Sequence, residues 1–179
     1  MTALTPRIEI PELATPRLVM RGFRDSDIDA YAEMMADPAV ARYIGDGNTL
    51  TRPDAWRQMA MFSGHWVLRG FGIWAVEERA TGTFLGRIGF WEPHGWPGFE
   101  LAYTLARPFW GQGFAREAGA AALAYGRETL GKTDIISLIR PANTPSIRVA
   151  EALGARQEAT VELMGKPSLL YRYQIESKP

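Results

Sequence analysis

The stretch RPFWGQGFAREAGAAALAYG, Arg107 to Gly126, sets two glycines around one glutamine and follows them with a run of small residues. Glycine lets a backbone adopt left-handed dihedrals and approach another molecule closely. A loop of this kind at the start of a helix aims several unpaired N–H groups at one point, at the positive end of the helix dipole. Such a point suits an anion, phosphate above all. The donors fall on Gly111, Gln112, Gly113, Phe114, Ala115 and Arg116, and Arg107 and Arg116 add positive charge. Two better-known phosphate motifs compete. A dinucleotide fingerprint needs Gly or Ala three residues after Gly113, where this chain has Arg116. A nucleoside-triphosphatase loop needs Gly-Lys followed by Ser or Thr, and this loop has none. Taken alone, the stretch is either an anion cradle or a tight strand-to-helix turn.

The rest of the chain narrows the chemistry. Its 179 residues, 46% apolar, suffice for one compact domain over residues 1–179. Lysines plus arginines equal acids at 20 each, so no net field attracts nucleic acid. No apolar run reaches the length of a bilayer span. The opening MTALTPRIEIPELATPR lacks the apolar segment of a signal peptide, which makes the cytoplasm the expected location. The absence of cysteine excludes disulfides, thiolate metal sites and a cysteine nucleophile. Only His65 and His94 are available as imidazoles, so no metal is expected.

Periodicity predicts a strand at Arg17–Phe23 and then a helix capped by Asp25 or Ser26. That helix carries Ile28, Tyr31, Met34 and Met35 on one face and stops near Asp37-Pro38. A second helix is expected over 53–68, with Trp56, Ala60 and Met61 at helical spacing. GIWAVEE, FLGRIGFWE and FELAYTL read as three strands, separated by the turn RATGT and the loop PHGWPG. The helix after the glycine loop runs to about Leu130 and is closed by Gly131. DIISLI is a buried strand. TPSIRVAEALG is a helix with Thr144 as cap, Pro145 at its first position and Gly154 beyond its end. Strands near 156–163 and 168–175 finish the chain. The expected fold is α/β (α+β), a mixed and mostly antiparallel sheet of about seven strands with helices on both faces.

Five segments, in order, resemble the GNAT superfamily of acyl-CoA N-acyltransferases. WGQGFA (Trp110 to Ala115) fits the family's phosphate motif, with Gly113 and Ala115 in the small positions. Trp110 departs from the usual Gln or Arg but is similar to the WGxG of the branch containing ribosomal-protein N-terminal acetyltransferases. TPRLVMRGFRDSDIDAY, GTFLGRIGF, ELAYTL and ANTPSIRVAEALGA resemble that branch's opening strand and helix, hairpin strand, cofactor-side strand and late helix. The resemblance covers residues 14–175, nearly the whole chain.

That resemblance implies acetyl-CoA as donor and an amine as acceptor, either a protein N-terminus or a small molecule, with direct transfer and no covalent enzyme intermediate. It implies that ELAYTL splays from DIISLI and that the pantetheine arm runs between them. Backbone groups of Ala102 to Leu105, Thr104 among them, would pair with the arm, and Asn143 would lie close to it. It makes Glu100 the base, with Glu92 and His94 behind it, and Ser146 the acid, with Tyr103 as the alternative. An α-amine, with a pKa of about 7.7–8.0, needs less help from a base than a lysine at about 10.4. Of Trp56, Trp66, Trp74, Trp91 and Trp96, the last is the best candidate to face a substrate. An acyl-CoA-binding module without turnover is the competing reading. Assembly as a homodimer is left open.

Overall fold

The computed structural model describes residues 9–174. The strands are β1 (Leu13–Ala14), β2 (Leu18–Arg21), β3 (Ile73–Glu78), β4 (Phe84–Trp91), β5 (Glu100–Leu105), β6 (Ile136–Ile139), β7 (Ala155–Leu163) and β8 (Lys166–Tyr173). They form one sheet in the order β1-β2-β3-β4-β5-β6-β8-β7. Every neighbouring pair is antiparallel except β5 and β6, which are parallel. The expected count of about seven rises to eight through the two-residue β1, too short to leave a periodic signal.

The helices are α1 (Ile28–Ala36), α2 (Pro38–Ala41), α3 (Arg52–Arg69), α4 (Phe114–Glu128) and α5 (Thr144–Ala152). Opposed residues in an antiparallel pair share a face, and successive residues alternate. The register therefore puts Arg87, Gly89 and Trp91 of β4 on one face with Thr104, Ala102 and Glu100 of β5. Trp91 and Ala102 pack with the cluster of Tyr31, Met34 and Met35 from α1 and Met59 and Phe62 from α3. Ile88, Phe90, Leu101 and Leu105 belong to the other cluster, with Ala118, Ala122 and Leu123 of α4 and Ala150 of α5. Helices thus cover both faces, as expected.

Three local expectations change. The first helix is not capped by Asp25 or Ser26; a 3-10 turn, Asp25–Asp27, precedes it. Asp27 takes the anchoring role, accepting from the Arg24 N–H at 2.8 Å and from both terminal nitrogens of buried Arg21 at 2.8 and 2.9 Å. In α3 the buried stripe is Ala55, Met59, Phe62, His65 and Trp66. Trp56 and Met61 lie off that stripe and are 51% and 46% exposed, because the larger set of apolar residues at helical spacing, Ala55, Met59, Phe62 and Trp66, takes the face toward the sheet. The cap of α5 is Asn143 rather than Thr144, its side chain accepting from Ser146 N–H.

The small residues of α4 let it lie directly on the sheet. A Cβ added at Gly126 would stand 2.6 Å from Cζ of Phe90, a residue with no exposed surface. Gly126→Ala should gain about 1 kcal/mol in helix propensity but lose about 1–3 kcal/mol to overpacking. The expected outcome in urea or thermal unfolding is a less stable protein. A stabilised one would contradict this packing.

Candidate active site

Strands β5 and β6 meet at one register pair, Glu100 opposite Ile136, where Ile136 N–H donates to the Phe99 carbonyl at 3.0 Å. The next rung of a parallel ladder would join Leu138 N–H to the Leu101 carbonyl. Side chains occupy both groups instead. Glu100 Oε1 accepts from Leu138 N–H at 3.2 Å, and Ser137 Oγ donates to the Leu101 carbonyl at 2.6 Å. Beyond that point the strands part, giving the expected splayed pair. Alternation from the Glu100–Ile136 pair turns the Tyr103 N–H and C=O and the Leu105 N–H toward the opening, where no strand faces them. The backbone of Ala102 and Thr104 faces β4, so these two contribute side chains to the cleft and not the pairing groups expected of them. The Leu105 carbonyl is taken by the Trp110 indole N–H at 2.7 Å, and the Leu105 side chain is buried on the α4 face.

Glu100 stands where the strands separate. It is 7% exposed, and its other oxygen accepts from the Trp96 indole N–H at 2.7 Å. Burial pushes its carboxyl up to about 7, while Trp96, the Leu138 amide and the charge of Arg87 pull in the opposite direction. A carboxylate tuned to neutral pH suits proton acceptance. The other two candidate bases are elsewhere: Glu92 is ion-paired with Arg69 at 2.9 Å, and His94 is exposed in its loop.

Tyr103 and Ser146 meet on the opposite face of the sheet. The phenol donates to the Ser146 carbonyl at 2.9 Å, and Ser146 Oγ donates to the phenol oxygen at 3.2 Å. Burial pushes Tyr103 up to about 12, so the phenol keeps its proton at neutral pH. Asn143 lines the same cleft, but its side chain is held by the Ser146 N–H at 3.4 Å and is not free to reach outward. The cleft holds about 370 Å³. Trp91 and Trp96 line it, whereas Trp66 and Trp74 are buried in the core.

The glycine loop has the expected shape. Gly111 and Gly113 take φ of 74° and 80°, conformations that disfavour side chains, and α4 begins immediately afterwards at Phe114. Gln112 folds its amide onto the Pro108 carbonyl at 2.8 Å, and Arg116 is exposed. Arg107 does not join the loop; it pairs with Asp37 at 2.9 Å. Arg17 holds the loop instead. It donates to the Gln112 carbonyl at 3.0 Å and to Glu117 at 2.6 Å, and it lies 4.4 Å over the Phe114 ring. Nothing in the spacing of the sequence links Arg17 to a loop 95 residues away.

The sequence does spell the nucleoside-triphosphatase pattern once, further on, as GRETLGKT from Gly126 to Thr133. There it closes the C-terminal end of α4, with Lys132 N–H donating to the Gly126 carbonyl at 2.9 Å. Lys132 Nζ lies 4.8 Å over the Phe99 ring. Its surroundings are a helix end and aromatic rings, the reverse of a phosphate cradle at a helix start.

Residues 17–156 match the family model of the acetyltransferase (GNAT) domain. An uncharacterized N-acetyltransferase, p20, from Bacillus licheniformis is 30% identical over 148 residues, which is 82% of this chain and 83% of that protein. The crystal structure of an acetyltransferase from Agrobacterium tumefaciens superposes with a TM-score of 0.83 at 29% identity, over 94% of this chain and 97% of that one. RimJ of Mycobacterium smegmatis, solved in complex with CoA-disulfide, shares the fold with a TM-score of 0.74 at 20% identity, over 90% and 84% of the two chains. The chain belongs to the GNAT acetyltransferase family. It is an N-acetyltransferase.

The position of Glu100 has a cost that pH exposes. Its folded pKa of about 7 exceeds the unfolded value of 4.5, so between those values the folded state retains a proton that the unfolded state releases. This favourable contribution is full below 4.5 and is lost as pH rises through 7, on the order of 3 kcal/mol in all. Glu100→Gln has no such dependence. Urea unfolding at pH 4.5 and pH 8 should move the stability difference between the two proteins in the variant's favour by that order. A constant difference would place the carboxyl in a wetter site.

Proposed function

We propose that the protein transfers an acetyl group directly from acetyl-CoA to a primary amine, with donor and acceptor entering from opposite faces of the sheet. The observation that carries this reading is the buried Glu100 carboxyl at the point where β5 and β6 part. The left-handed glycine loop and the open β5 edge fit the two polar stretches of an acyl-CoA, and the similarly folded RimJ structure contains a CoA-disulfide.

In this reading the amides from Gly111 to Arg116 receive the pyrophosphate at the start of α4. The Tyr103 and Leu105 edge groups pair with the pantetheine amides in the manner of an added strand. Tyr103 N–H is the first open-edge donor past Glu100 and can serve the thioester oxygen. The amine approaches on the face of Glu100 and Trp96. Its nitrogen forms the C–N bond, the C–S bond breaks, and the amine's proton passes to Glu100, directly or through a water. The departing thiolate takes its proton from the Ser146–Tyr103 pair on the opposite face. The acceptor class that fits this geometry is a protein N-terminus or a small amine.

Calorimetry with acetyl-CoA should show binding to the wild type and a loss of at least about tenfold for Gly113→Glu, which strains a left-handed residue and sets a negative charge in the cradle. In a thiol-release assay, kcat/KM should rise with pH through about 7 as Glu100 deprotonates. Glu100→Gln should lower it by about 10²–10⁴ without changing affinity for CoA. Binding of CoA with no thiol release from any amine would leave an acyl-CoA-binding module in place of an enzyme.

A further inference from the structure

Two arginines are buried in this sheet, and only one of them is neutralised. Arg21, 4% exposed, is held by Asp27 and by Glu77 at 2.6 Å. Arg87 is 6% exposed, and its Nε has no hydrogen-bond partner. Among the described residues no carboxylate lies within ion-pair distance of it. A guanidinium does not escape the cost of burial by losing its proton, so it requires an anion or a full set of acceptors.

The surroundings of Arg87 supply neither. Its guanidinium carbon lies 4.8 Å from the centre of the Phe62 ring, a favourable but uncharged contact. The Tyr31 phenol oxygen is within hydrogen-bond reach of the guanidinium and feels its charge, but it is a single neutral acceptor: burial raises the phenol's pKa, and Tyr31 keeps its proton and donates it to Gln58. Glu100 also feels Arg87. It already accepts from Trp96 and Leu138, and it stands four register pairs away along β4 and β5.

Arg87 and Glu100 share one face of the sheet and line the same cleft. Between them lie only Gly89 and Ala102. The floor of the cleft thus has a cation at one end, a proton acceptor at the other and small residues in the middle. Above it, the loop over 42–47 is tied to the far wall. Arg140 donates to the Gly45 carbonyl at 3.2 Å, Lys166 to the Asp46 carbonyl at 2.7 Å, and the Tyr43 phenol to the Ala142 carbonyl at 3.0 Å. Tyr43, Gly45 and Leu163 all border the cavity, so these bonds enclose a compartment of small-molecule size.

We propose that Arg87 anchors a carboxylate carried by the acceptor, and that the acceptor is a small primary amine bearing that carboxylate, amino-acid-like in form. This rests on the acyl-transfer reading only for the fate of the amine. The carboxylate meets the guanidinium fork, which is geometrically matched to it. The amine of the same molecule is thereby directed along the Gly89–Ala102 floor toward Glu100.

The test titrates matched pairs, 4-aminobutyrate against 4-aminobutyramide and alanine against alaninamide, into the protein with and without saturating CoA. Trp91 and Trp96 in the cleft wall report binding by fluorescence. At least one acid should bind the wild type tenfold or more tightly than its amide. Arg87→Met should abolish that preference while leaving CoA affinity unchanged, and Arg87→Lys should restore part of it. Equal binding of every acid and its amide to the wild type overturns the proposal without any reference to the variants. A preference for acids with no thiol release from acetyl-CoA would uphold the anion site and defeat the acyl-transfer reading. Release from amides as fast as from acids would defeat the anchor and leave acyl transfer standing.

Discussion

One rung that the β5–β6 ladder does not make organises this molecule. A parallel pair normally continues until its strands end, because unpaired backbone groups buried away from water are costly. Here the Leu138 amide and the Leu101 carbonyl are each satisfied by a side chain, Glu100 for one and Ser137 for the other. The strands can therefore separate at Leu101 without leaving buried groups unpaired. Separation leaves the Tyr103 edge open inside the protein, where an extended polar chain can complete it. The residue that permits the separation is also the one we propose as proton acceptor, so in that reading the opening and the base are one structural feature.

The alternation of β5 then sorts the chemistry by face. Glu100, Ala102 and Thr104 look toward α1 and α3, while Tyr103 and Leu105 look toward α4 and α5. In the proposed reaction, a donor whose phosphates rest at the start of α4 would reach Ser146 and Tyr103 on its own side of the sheet, with only its reactive end passing through the gap. The other face carries Glu100, two tryptophans and a buried arginine that has no counter-charge among the described residues. On that reading the two substrates are separated before they meet, each with its own polar anchor.

Much of this was legible in the sequence. The glycine loop, the Glu100 strand and the Asn143–Ser146 segment carry local signals, because left-handed glycines, strand alternation and helix caps act over a few residues. What escaped detection depends on pairs far apart in the chain. Arg17 holding the loop and Arg107 turning to Asp37 each require a tertiary partner that spacing does not announce. Trp96 reaches Glu100 from only four residues away, but across a loop whose course carries no periodic signal. The face of α3 was misjudged because Trp56 and Met61 are apolar yet exposed, and a helix rich in both kinds of residue offers two plausible stripes. The cap of α5 falls on Asn143 and not on the expected Thr144, since both residue types are preferred caps. The lack of a counter-ion at Arg87 was invisible for the same reason as the pairings: an unmatched charge is recognised only after every neighbour has been placed.

Hydrogen exchange resolved at single amides, with and without acetyl-CoA, probes the parted strands most directly. If the gap receives the pantetheine arm, the Tyr103 and Leu105 amides should exchange readily in the free protein and at least about tenfold more slowly in the complex, together with those of Phe114 to Arg116. Binding of acetyl-CoA that protects the start of α4 but leaves Tyr103 and Leu105 unchanged would contradict the account.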